Sequence, residues 1–308
     1  LQGESLADLT GGFGIDCSFL ATGFRSATYV ERQEELCEIA AHNFPVLNLN
    51  HINIKNEDGV TYLQAMSPVD CLFLDPARRN EHGGKTVAIS DCEPNVAKLE
   101  GLLLSKANRI MIKLSPMLDL SQALKELPHT QEVHIISVNN ECKELLLLLG
   151  QTAPEEIPVH CVNLSTKGEQ EKQLFVFTRE QEQHSECSYT DTLGNYLYEP
   201  NASLLKAGAF RSIAAAYSVK KLHPNSHLYT SETQIEGFPG RTFRIINRCS
   251  LNKKEIKENL SDLKKANITV RNFPATVAEL RKRIKLAEGG DTYLFASTLN
   301  DGQKILIR

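Results

Sequence analysis

Ser5–Asp16 reads SLADLTGGFGID: a short apolar strand at Leu6 and Ala7, an acid at its end (Asp8), a turn rich in glycine (Gly11, Gly12, Gly14), and then an amphipathic helix from Ile15 to Ala21. A strand that runs through glycines into a helix N-terminus lets backbone approach a ligand closely and turns N–H groups toward it. A glycine turn alone does not name the ligand. That has to come from the rest of the chain.

Outward from this stretch the same alternation repeats. Ala27–Glu31 (ATYVE) is a β-branched and aromatic strand that again ends in an acid, and Gln33–Asn48 has helical apolar spacing, with Leu36, Ile39 and Ala40 on one face. Ile52–Ile54 is a short strand leading to Asn56-Glu57-Asp58-Gly59, and Val60–Met66 is a helix. Val69–Leu74 (VDCLFL) is almost wholly apolar, the pattern of a central parallel strand covered on both faces. It ends at Asp75-Pro76-Ala77-Arg78-Arg79, and a polar loop of about fifteen residues then runs to Cys92. Loops of that length inside compact domains are usually functional or disordered.

Asn95–Lys106 is expected as a helix, Arg109–Leu114 (RIMIKL) as a buried strand, Leu120–Leu127 as a helix and Val133–Val138 as a strand. Cys142–Leu149 is read as a helix, with a strand as the alternative, because five consecutive leucines carry no period. Pro158–Leu164 and Gln173–Thr178 are expected to close the domain as a hairpin across Lys167-Gly168. The fold class is therefore α/β, a Rossmann-like and mostly parallel sheet with an antiparallel edge hairpin.

Glu180–Cys187 (EQEQHSEC) is polar and without periodicity, and is the expected linker between a domain at 1–180 and a smaller α+β domain at 190–308. In the latter, Asn201 caps a helix through Ala202–Ser218 with Gly208 as an internal weak point. Strands at His227–Thr230 and Thr242–Asn247, helices at Lys253–Ala266 and Thr276–Leu286, and a strand at Ile268–Arg271 follow. Thr292–Ser297 and Lys304–Ile307 form a hairpin over Asn300-Asp301-Gly302, where Asp-Gly is a strong turn signal.

Composition narrows the function classes. The chain has 308 residues, 41% of them hydrophobic and 23% charged, enough for two soluble domains. Its longest apolar run, Leu145–Leu149, is far from the ~18 residues of a membrane helix. The opening on Leu1 almost inside the first strand reads as a natural N-terminus removed, and no stretch reads as a signal peptide. Eight scattered cysteines with no CxxC pair fit a reducing cytoplasm and no metal site. Cys142, beside Lys143, is read as an incidental thiol, and His82, His223 and His227 are assigned nothing. The net charge of −4 hides a division: residues 190–308 hold 19 Lys and Arg against 11 Asp and Glu, so the C-terminal part is basic. That balance suggests a polyanionic partner.

The strand ends then form one constellation. Open parallel sheets bind ligands beyond the carboxyl ends of their strands. There stand Asp8 and the glycine turn, Glu31 placed for ribose hydroxyls, Asp58 for an adenine amino group, and Asp75-Pro76. A dinucleotide fingerprint would need a small residue where Cys17 stands, and no phosphate-binding lysine follows the glycines. A ligand with adenine and ribose but no pyrophosphate fits better, and S-adenosylmethionine is such a ligand.

These residues resemble class I S-adenosylmethionine-dependent methyltransferases. Their acid-x-Gly-x-Gly-x-Gly motif is matched by Asp8-Leu9-Thr10-Gly11-Gly12-Phe13-Gly14 with Thr10 at the first glycine, and Asp75-Pro76-Ala77-Arg78 looks like their Asp-Pro-Pro-x motif. The resemblance implies that Asp8, Thr10, Gly11, Gly12, Phe13 and Gly14 hold the methionine end, Glu31 the ribose, and Asp58 with Gly59 the adenine. It also implies that Asp75 and Pro76 stand at the methyl acceptor, by in-line displacement. Ala77 and Arg78 replace the aromatic residue that base-methylating relatives usually carry, and an Arg guanidinium can also stack on a base.

Tyr198-Glu199-Pro200-Asn201, Phe238-Pro239-Gly240-Arg241 and Arg271-Asn272-Phe273-Pro274 resemble the THUMP-like domain of bacterial methyltransferase-fold proteins. Arg78 and Arg79 at the cleft, and Arg281, Lys282, Arg283 and Lys285 on one helix, are the expected phosphate contacts, with Lys253, Lys254, Lys257, Lys264 and Lys265 on another. The leading expectation is an RNA methyltransferase. The alternatives are a methyltransferase of a small molecule or protein, and a non-catalytic RNA-binding protein that keeps the fold.

Overall fold

The computed structural model describes residues 1–78, 88–166 and 172–308, with the backbone alone at Arg78. The expected turn at Lys167-Gly168 and the residues 79–87 of the loop before Cys92, Arg79 and His82 among them, lie outside the described residues. The chain groups into two compact units, Leu1–Thr166 and Lys167–Arg308, a division earlier than the expected break at 180–190.

The first unit alternates as the apolar runs require: β1 (Gly3–Asp8), α1 (Ile15–Ala21), β2 (Phe24–Glu31), α2 (Glu34–Val46), β3 (Ile52–Asn56), α3 (Gly59–Ala65) and β4 (Val69–Leu74). A short pair follows, β5 (Ala77–Arg78) with β6 (Cys92–Glu93), then α4 (Val96–Lys106), β7 (Ala107–Leu114), α5 (Leu120–Glu126), β8 (Thr130–Val138), β9 (Glu141–Leu149) and β10 (Pro158–Leu164). With β11 (Lys172–Thr178) the large sheet has nine strands, in the order β11-β10-β8-β9-β7-β4-β1-β2-β3. Strands β3, β2, β1, β4 and β7 run parallel, so their acid-bearing ends share one edge.

The leucine run of β9 is a strand, not the expected helix. It lies antiparallel between β7 and β8, with Leu145, Leu147 and Leu149 buried and Leu146 and Leu148 half-buried on the other face. Consecutive leucines serve a strand covered on both faces as well as a helix, and the two ladders decide between them. Core side chains between sheet and helices include Leu6, Tyr29, Phe44, Leu72, Phe73 and Ile112. Among the described residues no helix is long and apolar enough to cross a membrane.

The second unit carries α6 (Arg179–His184), β12 (Tyr196–Pro200), α7 (Ala202–Ala207), α8 (Ser212–Tyr217), β13 (Lys220–Lys221), β14 (Tyr229–Ser231) and β15 (Gly240–Arg244). It ends with β16 (Arg248–Cys249), α9 (Lys253–Leu260), β17 (Asn267–Arg271), α10 (Val277–Ile284), β18 (Tyr293–Thr298) and β19 (Lys304–Ile307). Two four-stranded sheets result, β13-β14-β12-β15 and β16-β19-β18-β17.

Two expectations are corrected here. The linker stretch is helix α6: a capping box joins Thr178 and Gln181, and Glu182 takes the backbone N–H groups of Phe210, Arg211 and Ser212 at 2.8–3.0 Å. Ala202–Ser218 is two helices, because Gly208 adopts φ 78° and ends the first with a left-handed cap.

Candidate active site

Strand β1 delivers Asp8 to the edge of the sheet, where it is 1% exposed. Its Oδ1 accepts from Thr10 N at 3.0 Å, while Oδ2 is buried with no hydrogen-bond partner. Burial, aided by the charges of Asp16 and Asp75 and opposed by the bonds from Thr10, pushes its pKa up to about 7. Thr10, the departure from the glycine pattern, ties two strand ends together: its hydroxyl reaches Asp8 Oδ1 at 3.4 Å and accepts from Asp75 N at 2.7 Å.

Strand β2 closes the turn from the other side. Glu31 Oε2 accepts from Gly12 N and Oε1 from Gln33 N, each at 2.9 Å, which leaves lone pairs on both oxygens. A Cβ on Gly11 would lie 2.3 Å from the Tyr29 ring, so only glycine fits there. Gly59 is equally constrained, since a Cβ would stand 2.1 Å from Leu9 O. Asp58 caps α3, its Oδ1 accepting from Val60 N and Thr61 N at 3.0 Å.

These ends surround a cavity of about 800 Å³, within the range of cofactor sites. Thr10, Gly12, Glu31, Asp58, Gly59 and Asp75 line it. Asp8 lies buried beside it without lining it, and Gly11 and Gly14 pack inward against Tyr29 and Phe44. Phe13, expected at the ligand, is 65% exposed and does not line the cavity.

Asp75 also faces a second cavity, about 350 Å³, with Pro76, Lys113, Ser115, Lys143 and Glu144. Lys113 Nζ lies 2.5 Å from Asp16 Oδ2 and 2.9 Å from Asp75 Oδ2, and its side chain is 16% exposed. Burial works against this charge, but the bonds to Asp16 and Asp75 prevail and hold the ammonium above its ordinary pKa. Burial raises Asp75 and Glu144 in turn, against the pull of Lys113. In the sequence Lys113 reads as part of a buried strand and has no role. Its signal is a lysine near the carboxyl end of an otherwise apolar strand, level with Asp75.

Away from this edge, Glu132, His134 and His160 bring three metal-capable groups together, a grouping unseen in sequence because it spans two paired strands. The two imidazoles are stacked at 4.4 Å and 10°, so their lone pairs run side by side rather than converge.

In the second unit, Lys282, Arg283 and Lys285 of the expected phosphate contacts are exposed. Arg281 is half-buried and donates to Ala266 O and Leu286 O, which gives it a structural task. Lys285 stands just past α10 as its left-handed cap, and α9 ends at Leu260, ahead of Lys264 and Lys265.

A parallel sheet with one reversed strand inside it, acids at the ends of β1 and β2 and an Asp-Pro after β4 defines the class I methyltransferase fold. The comparisons agree. A solved structure from Porphyromonas gingivalis W83, provisionally named a methyltransferase, is 38% identical with a TM-score of 0.89, covering 99% of this chain and 76% of that one. Residues 196–239 match the family model of a ferredoxin-like domain, and 240–308 that of a THUMP-like domain. This chain belongs to that family of class I methyltransferases with a C-terminal THUMP-like domain. More remote are a Streptococcus mutans protein in complex with SAH, also provisionally named a methyltransferase (12% identity, TM-score 0.35, 48% of this chain and 89% of that), and an rRNA methylase from Streptococcus thermophilus (13%, 0.36, 48% and 88%). Overlaps so partial say nothing about substrate. No curated protein matches the chain.

Proposed function

We propose that this protein is an S-adenosylmethionine-dependent methyltransferase that modifies RNA in the cytoplasm. The observation that carries the reading is the cavity at the ends of β1–β4, where Glu31 and the glycine turn are locked together and Asp75 stands between two cavities. The residues present fit the cofactor: Glu31 keeps lone pairs for ribose hydroxyls, Asp58 and Gly59 form the adenine end, and the unpartnered Asp8 Oδ2 suits a cationic methionine end. The cofactor would supply a methyl group activated by a sulfonium. The protein's part is to hold the acceptor in line with it, beside Asp75 and Pro76, and to exclude water.

The RNA half of the reading rests on the match of residues 240–308 to a THUMP-like domain and on the basic C-terminal part. Lys253, Lys254, Lys257, Lys264, Lys265, Lys282, Arg283 and Lys285 are among its exposed cations, suited to phosphates rather than base edges. Arg78 and Arg79, next to the cleft in sequence, are proposed as phosphate contacts of the first unit.

Calorimetric titration of the full chain with S-adenosylhomocysteine, followed by transfer of labelled methyl to an RNA pool, tests both halves. Binding with transfer to RNA is the expected result. Binding with transfer only to protein or small molecules would refute the RNA half, and absence of binding would refute both.

A further inference from the structure

We propose that the group methylated is a ribose hydroxyl, seated in the second cavity between Lys113 and Asp75. The inference rests on the methyltransferase reading above and narrows its acceptor.

An amino nucleophile on a base asks for free acceptors for its N–H groups and a ring to stack on. Among the described residues the second cavity has carboxylate acceptors, Asp75 and Glu144, but no ring. Asp75 Oδ2 is held by the Lys113 ammonium at 2.9 Å, and none of the described residues lining the cavity is aromatic. The described residues that line it are charged, small polar and aliphatic. It suits a sugar edge better than a base.

A hydroxyl nucleophile asks for the reverse: a donor where negative charge gathers on its oxygen, and a carboxylate to receive its proton. Lys113 has three N–H groups. Two meet Asp16 and Asp75, which leaves one for an oxygen in the cavity. Among the described residues the charged groups facing it are Asp16 from α1, Asp75 after β4, and Lys143 and Glu144 from β9, with Cys92 also on the wall. Because its carboxylates hold Lys113 protonated, it acts as donor and not as base. Asp75 and Glu144, both raised by burial, are stronger bases than exposed carboxylates. Asp75 lines both cavities and is the one assigned the proton.

The step balances. The acceptor oxygen bonds to the methyl carbon while the carbon–sulfur bond breaks, its electron pair staying on sulfur. The hydroxyl proton passes to the Asp75 carboxylate and then to water.

Two measurements test this with the full chain. Total bacterial RNA incubated with methyl-labelled S-adenosylmethionine and digested to nucleosides is expected to carry the label on ribose. Label on a base overturns the hydroxyl acceptor and leaves the RNA methyltransferase reading standing, whereas label confined to protein or small molecules removes both. The second needs no turnover. Protein saturated with S-adenosylhomocysteine is titrated with cytidine and with 2′-deoxycytidine, and the Lys113 ammonium is followed by NMR. Cytidine is expected to bind about ten-fold tighter or more and to move that signal. Equal binding, or an unmoved signal, overturns the proposal. Lys113→Met should erase the preference while S-adenosylhomocysteine still binds. Should that variant not fold, Lys113→Arg, which keeps the cation, should retain the preference, and its loss there counts against the assignment.

Discussion

Tyr29 and Gly11 are fitted to one another: the ring occupies the place where a side chain on Gly11 would stand, and its hydroxyl donates to Gly12 O. A residue near the carboxyl end of β2 thus shapes the turn that follows β1. With Glu31 Oε2 on Gly12 N, the second strand fixes the glycine turn at two points before any ligand arrives.

Gly11→Ala is therefore expected to destabilise the fold by about 2–4 kcal/mol, since the ring it meets is fully buried and cannot retreat. Gly101→Ala is the matched control. It lies exposed within α4 with nothing near its missing Cβ, and alanine there should add about 0.5–1 kcal/mol. Thermal unfolding of both variants gives opposite signs if the turn is as tight as described. Equal behaviour would refute the fit.

Asp8 makes stability depend on pH in a direction opposite to that of a paired carboxylate. Its pKa is about 7 folded against 3.8 ordinarily, so between those values the folded protein holds a proton that the unfolded chain has lost. Stability due to this group falls as pH rises through that window and is level above it. Asp8→Asn removes the dependence, and its stability relative to wild type should be roughly 2 kcal/mol more favourable at pH 8 than at pH 5. Urea unfolding at the two pH values measures it. A cationic ligand beside Oδ2 would pull the pKa back down, so S-adenosylmethionine should bind tighter as pH rises from 6 to 8 and release a proton on binding. A flat profile would remove Asp8 from the ligand's charge.

Much of this was legible in the chain. Strands that end in acids are local patterns, and the shared edge follows from parallel topology, so Glu31, Asp58 and Asp75 line one cavity and Asp8 lies buried beside it. The leucine run of β9 was not legible, because its identity depends on the two strands that pair with it. Lys113 is the deeper case. Its role exists only through Asp16 and Asp75, which lie 97 and 38 positions away in the chain, and no window of sequence contains all three. Glu182 looked like linker for the same reason, its three backbone donors lying about thirty residues on.

The basic face of the second unit yields a salt-dependent prediction. Lys282→Glu with Lys285→Glu should weaken RNA binding by the full chain across all sequences and lower the slope of log affinity against log salt by about 1 for each phosphate no longer neutralised. Arg281 is the internal contrast. Its Nη1 donates to Ala266 O and Leu286 O, so Arg281→Ala should lower the unfolding temperature before it changes that slope. Filter binding at several salt concentrations separates the two effects, and an unchanged slope in the double variant would remove this face from the RNA site.

Glu199 carries the last test. Its side chain is 2% exposed, with one oxygen bonded by Arg241 and the other by Arg271 at 2.9 Å, so three of the motifs that mark the C-terminal region meet at one carboxylate. Both arginines are over a third exposed and keep water on their outer sides, while the glutamate depends on them for all of its solvation. Removing either partner should thus cost less than removing the arrangement's charge balance. Arg241→Met alone leaves a buried carboxylate with one cation and should cost about 1–2 kcal/mol, whereas Arg241→Met with Arg271→Met strands the charge and should cost about 3–5 kcal/mol. Adding Glu199→Gln to the double variant removes the stranded charge and should recover most of that loss. Denaturant unfolding of the single, double and triple variants decides it. Additive losses with no recovery in the triple variant would mean that the carboxylate is far better solvated than its burial indicates.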